Sequence, residues 1–117
     1  MKKYTQQEIN NLIVTENDKK YIKDIDFSKC DLSSLRLNNI TFINCNFYRT
    51  DLNNADLSYA DLSYTDLSYT DLYKANLNNA DLNNADLDDT YLVHAYNTEN
   101  KTLDKDLLLN QIGIIVL

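Results

Sequence analysis

The chain has 117 residues and a formal net charge of −7 at pH 7, which leaves room for one domain and one core. Apolar residues make up 44%, enough to fold despite a mean hydropathy of −0.48, so the chain is not read as disordered. No apolar run approaches the ~18 residues of a membrane span, and the acidic balance argues against direct binding of nucleic acid.

The start, Met1 to Glu8, turns polar where a signal peptide turns apolar, so the protein is expected in the cytoplasm. Thr5-Gln6-Gln7-Glu8 has the spacing of a capping box and opens a short helix with Ile9, Leu12 and Ile13 on its apolar side. Residues 1–24 are accordingly predicted to form an N-terminal helical cap over Phe27 and Leu32. Asn17-Asp18-Lys19-Lys20 reads as a polar turn leading into a strand-like piece at Tyr21-Ile22.

From Ile25 to His94 the chain has a period of five. Fourteen positions, Phe27, Leu32, Leu37, Phe42, Phe47 and every fifth residue on to Leu92, are all Leu or Phe. Two residues before each stands an apolar or small residue, from Ile25 and Cys30 through Ala55, Ala60 and Thr65 to Thr90. The other three positions are mostly Asp, Asn, Ser, Tyr, Lys or Arg. On an α-helix, one such unit turns through about 500°, so the leucines would mark no face. In a flat strand, an odd period sends successive leucines to opposite sides.

The pattern is satisfied if each unit is a short extended piece followed by a corner, with the small residue and the Leu or Phe pointing inward. Four such units, each turning the chain by about a right angle, close one coil. Residues four units apart then stack like on like. Phe27, Phe47, Leu67 and Leu87 form one ladder, Leu32 to Leu92 a second, and Leu37 to Leu77 a third, with Phe42 capping Leu62 and Leu82 in the fourth. Coils stacked at ~4.8 Å make a rod of roughly 17 Å. The repeat has no Pro or Gly, so Asn pairs such as Asn38-Asn39, Asn53-Asn54, Asn78-Asn79 and Asn83-Asn84 are expected at the corners.

Runs such as Ala55-Asp56-Leu57-Ser58-Tyr59, Ala75-Asn76-Leu77-Asn78-Asn79 and Ala80-Asp81-Leu82-Asn83-Asn84 closely resemble the unit of the pentapeptide-repeat proteins, Ala-(Asp/Asn)-Leu-x-x. The resemblance extends over positions 25–95, more than half of the chain. It implies an all-β solenoid, a right-handed quadrilateral β-helix of about 3.5 coils with short helical caps at both ends. Fold alone does not fix activity in such a family.

Residues 96–117 are expected to form the second cap. Thr102 can open a helix containing Leu103, Leu107, Leu108 and Leu109, and Gly113 suits the left-handed stop after it. Leu103, Leu107, Leu108 and Ile112, with the tail Ile114, Ile115, Val116 and Leu117, offer more apolar surface than one cap needs, as an interface would. In the quinolone-resistance members of the resembled family a C-terminal helix forms a dimer. That resemblance implies a homodimer here, against the simpler reading that these residues only seal the last coil.

The charge is uneven. Residues 1–50 carry eight basic and six acidic groups, whereas residues 51–92 carry Asp51, Asp56, Asp61, Asp66, Asp71, Asp81, Asp86, Asp88 and Asp89 against Lys74 alone. Eight net negative charges over two coils, about 10 Å, compare with one per ~1.7 Å along duplex DNA. The resemblance to the DNA-mimicking, gyrase-binding members implies a decoy that inhibits or shields a DNA-binding protein with a basic groove, a type II topoisomerase or a defence nuclease. The rod is about half the length of those members. The competing reading is a scaffold or adaptor without mimicry, in which the aspartates are merely a solvated part of the repeat. Tyr59, Tyr64 and Tyr69 close three consecutive units and are candidate aromatic contacts, or simply shields for corner backbone.

No catalytic, cofactor or metal site is expected. Cys30 and Cys45 fall on inward positions as buried thiols, and His94 has no co-ligand. Ser58, Ser63 and Ser68 have no neighbouring His, and a chain with one glycine has no phosphate loop. The chain is read as a non-enzyme without cofactors.

Overall fold

A computed structural model describes residues 1–96 of the chain. The expected C-terminal helix, tail and dimer contacts, Leu103 to Leu117, lie outside the described residues.

Helix α1 runs over Gln6–Leu12 and begins at an extended Thr5. The Thr5 hydroxyl accepts from the Glu8 N–H at 3.1 Å, and Glu8 Oε1 accepts from the Thr5 N–H at 3.0 Å. So short a helix is not stable alone. This one is held by Ile9, fully buried in the same core as Phe27 and Leu32. The β-branched run Ile13-Val14-Thr15 then favours extended chain. Strand β1, Val14–Glu16, pairs antiparallel with strand β2, Lys19–Lys23, across a tight turn at Asn17 and Asp18. Both turn residues take positive φ, 50° and 63°, the twist a tight hairpin needs. The polar turn expected over Asn17 to Lys20 is therefore shorter than its polar run, and Lys19 and Lys20 belong to a strand.

Strand β2 pairs parallel with strand β3, Ile40–Ile43, placing Ile22 beside Phe42. That pairing joins residues four repeat units apart. The same step recurs in bridges from Asp26↔Asn46 through Asp51↔Asp71 to Asn76↔Tyr96. The chain thus passes over itself once every four units as a β-helical solenoid. Leu52 and Leu72 lie on adjacent rungs, with the Leu52 N–H on the Asp71 carbonyl at 2.7 Å and the Asp71 N–H on the Thr50 carbonyl at 3.0 Å. The fourth ladder is headed by Ile22, not by Phe42, because the period of five reaches back into β2.

Of the fourteen Leu and Phe positions, thirteen are buried and Leu82 is half-buried. Each buried side chain of this size contributes roughly 2 kcal/mol from area removed from water, an upper estimate. Phe27 stacks on Phe47 at 5.4 Å and Phe42 meets Phe47 edge-on at 5.1 Å, while the Tyr4 ring covers Phe27 at 5.2 Å. Buried hydroxyls need partners. Thr50, Thr70 and Thr90 donate to the carbonyls of Phe27, Phe47 and Leu67 on the preceding rung, at 2.8, 2.6 and 2.9 Å. Cys30 and Cys45 are free buried thiols, and burial pushes both up from the ordinary thiol value.

A solenoid's first coil exposes backbone groups that ordinarily pair with a coil before it. Here the N-terminus supplies them. The Tyr4 N–H donates to the Asp31 carbonyl at 3.0 Å and the Asp31 N–H donates to the Lys2 carbonyl at 2.7 Å. One face further on, the Gln6 side chain acts as a peptide group. Its Nε2 donates to the Arg36 carbonyl at 2.9 Å and its Oε1 accepts from the Arg36 N–H at 2.8 Å.

Candidate protein-binding surface

Each unit turns its corner by the same two devices. The residue before the inward Leu or Phe is usually Asp or Asn, and its Oδ1 accepts a hydrogen bond from the N–H two positions on. Eleven units from Asp26 to Asp86 have this bond, at 2.9 to 3.1 Å. The last residue of the unit is left-handed. Every fifth residue from Lys29 to His94 has a φ between 52° and 62°. Asn39, Asn54, Asn79 and Asn84 sit there, as the Asn pairs required, but so do Arg49, Lys74 and the three tyrosines.

The aspartates are therefore not simply solvated. Asp51, Asp56, Asp61, Asp66, Asp71 and Asp81 are half-buried, and each holds a corner through one oxygen. Asp86, Asp88 and Asp89 are exposed. Ser58 and Ser63 add hydroxyl donors to Asp56 and Asp61 at 2.6 Å, which is their role in the fold. Asp31, Asp51 and Asp71 stand in one column, Asp61 and Asp81 in another, and Asp66 and Asp86 in a third. The negative charge is wound around the solenoid instead of lying along one side.

The three tyrosines differ from one another. Tyr59 and Tyr64 are 63% and 79% exposed, while Tyr69 is 51% exposed and engaged. Its ring meets Tyr48 edge-on at 5.8 Å and lies 5.4 Å from the Arg49 guanidinium. A hydrogen bond to Asp89 pushes the Tyr69 hydroxyl above the ordinary tyrosine value. The Tyr48, Arg49, Tyr69 and Asp89 cluster was not foreseen from sequence. Its signal was available, because positions 49, 69 and 89 are spaced by whole coils. Tyr59, Tyr64 and Tyr69 occupy successive corners, and no ring contact joins them among the described residues.

Among the described residues no group of His, Cys, Asp and Glu is arranged to hold a metal, and no helix is long and apolar enough to cross a membrane. A rung register of four units over a Leu and Phe core defines a β-solenoid. The chain belongs to the pentapeptide repeat family: the family description "Pentapeptide repeats" matches residues 25–63 and 55–92 in eight copies. Proteins of this family form right-handed β-helical solenoids and are generally non-enzymatic, structural or protein-binding.

The chain is similar to alr5209, a pentapeptide repeat protein from Nostoc PCC 7120. Identity is 31%, with 85% of this chain and 78% of that one covered, and a TM-score of 0.67. It is also similar to HetL of Nostoc sp. strain PCC 7120, involved in heterocyst differentiation regulation, at 28% identity. There 78% of this chain and 46% of HetL are covered, with a TM-score of 0.44. QnrB1, a plasmid-mediated fluoroquinolone resistance protein, matches at 18% identity over 79% of this chain and 60% of its own, with a TM-score of 0.33. The curated proteins contain no match to the chain.

Proposed function

We propose that the protein is a non-enzymatic, cytoplasmic binding solenoid, a right-handed quadrilateral β-helix of about 3.5 coils. Its acidic second half competes with nucleic acid for the basic groove of a DNA-binding protein, such as a type II topoisomerase or a defence nuclease. Two copies join through Leu103 to Leu117, so that the acidic halves lie centrally. The observation that carries this reading is the charge of residues 51–92, nine aspartates against Lys74, six of them paired at one-rung spacing as Asp51 with Asp71, Asp61 with Asp81 and Asp66 with Asp86. A groove that accepts phosphates at a comparable charge density would accept such a charge-wrapped rod by electrostatic and steric competition. Tyr59 and Tyr64 would supply apolar anchors at its edge.

One specific observation favours a second reading, a scaffold for a partner that binds no DNA. Every half-buried aspartate of the acidic half already has a structural task at a corner, so their number alone does not demand a ligand.

The chain itself supplies the substitution that separates the two. Asn46 and Asn76 make the same corner bond as the aspartates, to Tyr48 and Asn78 at 2.9 and 3.0 Å. Asp61→Asn, Asp66→Asn and Asp81→Asn together should remove three charges and keep the fold. In affinity capture from lysate, the native chain is expected to retain DNA-binding proteins at about 50 mM salt and release them by about 500 mM. The triple variant should retain them poorly. Capture indifferent to salt and to the triple substitution, but lost in Tyr59→Ala with Tyr64→Ala, would reject mimicry and establish the scaffold.

A further inference from the structure

We infer that the N-terminal end of the solenoid holds a binding pocket for the phosphate group of a small molecule. A cavity of about 160 Å³ lies between α1 and the first coil. Gln6 and Asn10, one turn apart on α1, form its roof; Lys20 of β2, with Arg36 and Asn38 of the coil, forms the rest of its polar wall.

Both cations depart from the repeat. Arg36 takes the outward position that elsewhere is Asp, Asn, Thr or Tyr from Tyr21 to Tyr96, and is the one cation in that series. No corner bond runs from its side chain to the Asn38 N–H, so Arg36 does not serve the turn as the aspartates do. Lys20 is exposed, although its register is that of the column occupied by buried Ile40 one rung on and Ala60 on the next.

Neither cation has an ion-pair partner among the described residues, where the pairs are Lys2 with Glu8 and Lys23 with Glu16. Arg36 forms no pair even with Asp56, its bridge partner on the adjacent rung, and lines the cavity instead. No carboxylate lines it.

Of the two amides that α1 places at the cavity, Gln6 directs both of its N–H groups to the Arg36 carbonyl and Asn10 Oδ1, and only Asn10 is turned to donate. Asn10 Oδ1 accepts from Gln6 Nε2 at 3.1 Å, which leaves the Asn10 amide N–H₂ as the free half. Gln6 is itself fixed by both of its bonds to the Arg36 backbone. Two cations and the Asn10 amide, with a planar guanidinium fork among them, are the donor types that phosphate oxygens accept from. The volume equals about five waters, enough for a phosphate group and too little for a nucleoside, so the remainder of any ligand would extend into solvent. The pocket lies outside residues 51–92, and its test stands apart from that of the acidic surface.

The full chain, labelled with ¹⁵N, would be titrated with sodium phosphate at constant ionic strength, with sodium acetate as the carboxylate control. Saturable shifts are expected at the amides of Asn10, Arg36 and Asn38, half-complete at about 1 mM or below. Acetate should be at least about tenfold weaker. Lys20→Gln with Arg36→Gln should abolish saturation. Should that pair disturb folding, Arg36→Lys keeps the charge and loses the fork, and is expected to weaken binding several-fold. Shifts that never saturate, acetate as tight as phosphate, or an undiminished response in the folded variants would overturn the assignment.

Discussion

Tyr64 holds a φ of 62° with its side chain 79% exposed. A left-handed backbone costs a non-glycine residue about 1 kcal/mol or more, and here little burial offsets it. Its counterparts one coil before and one coil after are Asn44 and Asn84, which tolerate that conformation through their short polar side chains. Tyr64→Asn is therefore expected to raise stability by about 0.5–1 kcal/mol, read as a higher urea midpoint at unchanged slope. Tyr69→Asn should give no such gain, because it removes the ring contacts with Tyr48 and Arg49. At this scale the inward residues were legible from one strong signal, hydrophobic identity at every fifth position. The corner bonds of Asp51 or Asp66 were not, because an outward carboxylate looks solvated until the N–H two positions on is seen to need an acceptor.

The N-terminal elements show which local patterns can be read and which cannot. The capping box at Thr5 and Glu8 was legible because it is complete between those two positions. Strand β1 was not, since Val14, Thr15 and Glu16 are all exposed and carry no alternation. Ile22 was missed as a ladder head because Lys20 occupies the small position before it, which hides the period. The cap also carries a pH dependence. The Thr5 N–H, with Lys2, holds the Glu8 carboxyl below its ordinary value. Hydrogen bonds from Ser28 and Ser33 act likewise on Asp26 and Asp31. A carboxyl whose folded value is depressed contributes its stability above the unfolded value of about 4 and loses it as pH falls through the folded one. Unfolding midpoints should thus hold steady from pH 7 to about 5 and fall below about pH 4. Glu8→Gln should reduce that acid loss, which a denaturation series in pH would record.

Over the whole molecule the columns of like charge oppose the stacking that builds the core. Asp31, Asp51 and Asp71 follow one another at the spacing of single rungs, well inside the ~10 Å Debye length at about 0.1 M salt. Raising ionic strength from about 10 mM to about 300 mM should therefore raise the melting temperature, measured by circular dichroism. The same change should loosen any partner held by the acidic half, so fold and binding should respond to salt with opposite sign. The rung register was fully legible, because a closed coil is the arrangement that turns every fifth residue inward. The candidate surface was only partly so: composition counts the aspartates, but the backbone decides which faces they occupy and which task each already has.

The rung register also constrains how such a chain can change length. Adding one pentapeptide leaves every leucine inside, yet carries all later side chains a quarter-turn around the axis. Asp71 would then no longer follow Asp51, whereas the threonine bonds that tie one layer to the next would find the equivalent main-chain carbonyl of the neighbouring unit. Adding four pentapeptides restores every alignment. Growth by whole layers conserves the pattern displayed to solvent, whereas growth by a single unit keeps the interior and rewrites the exterior.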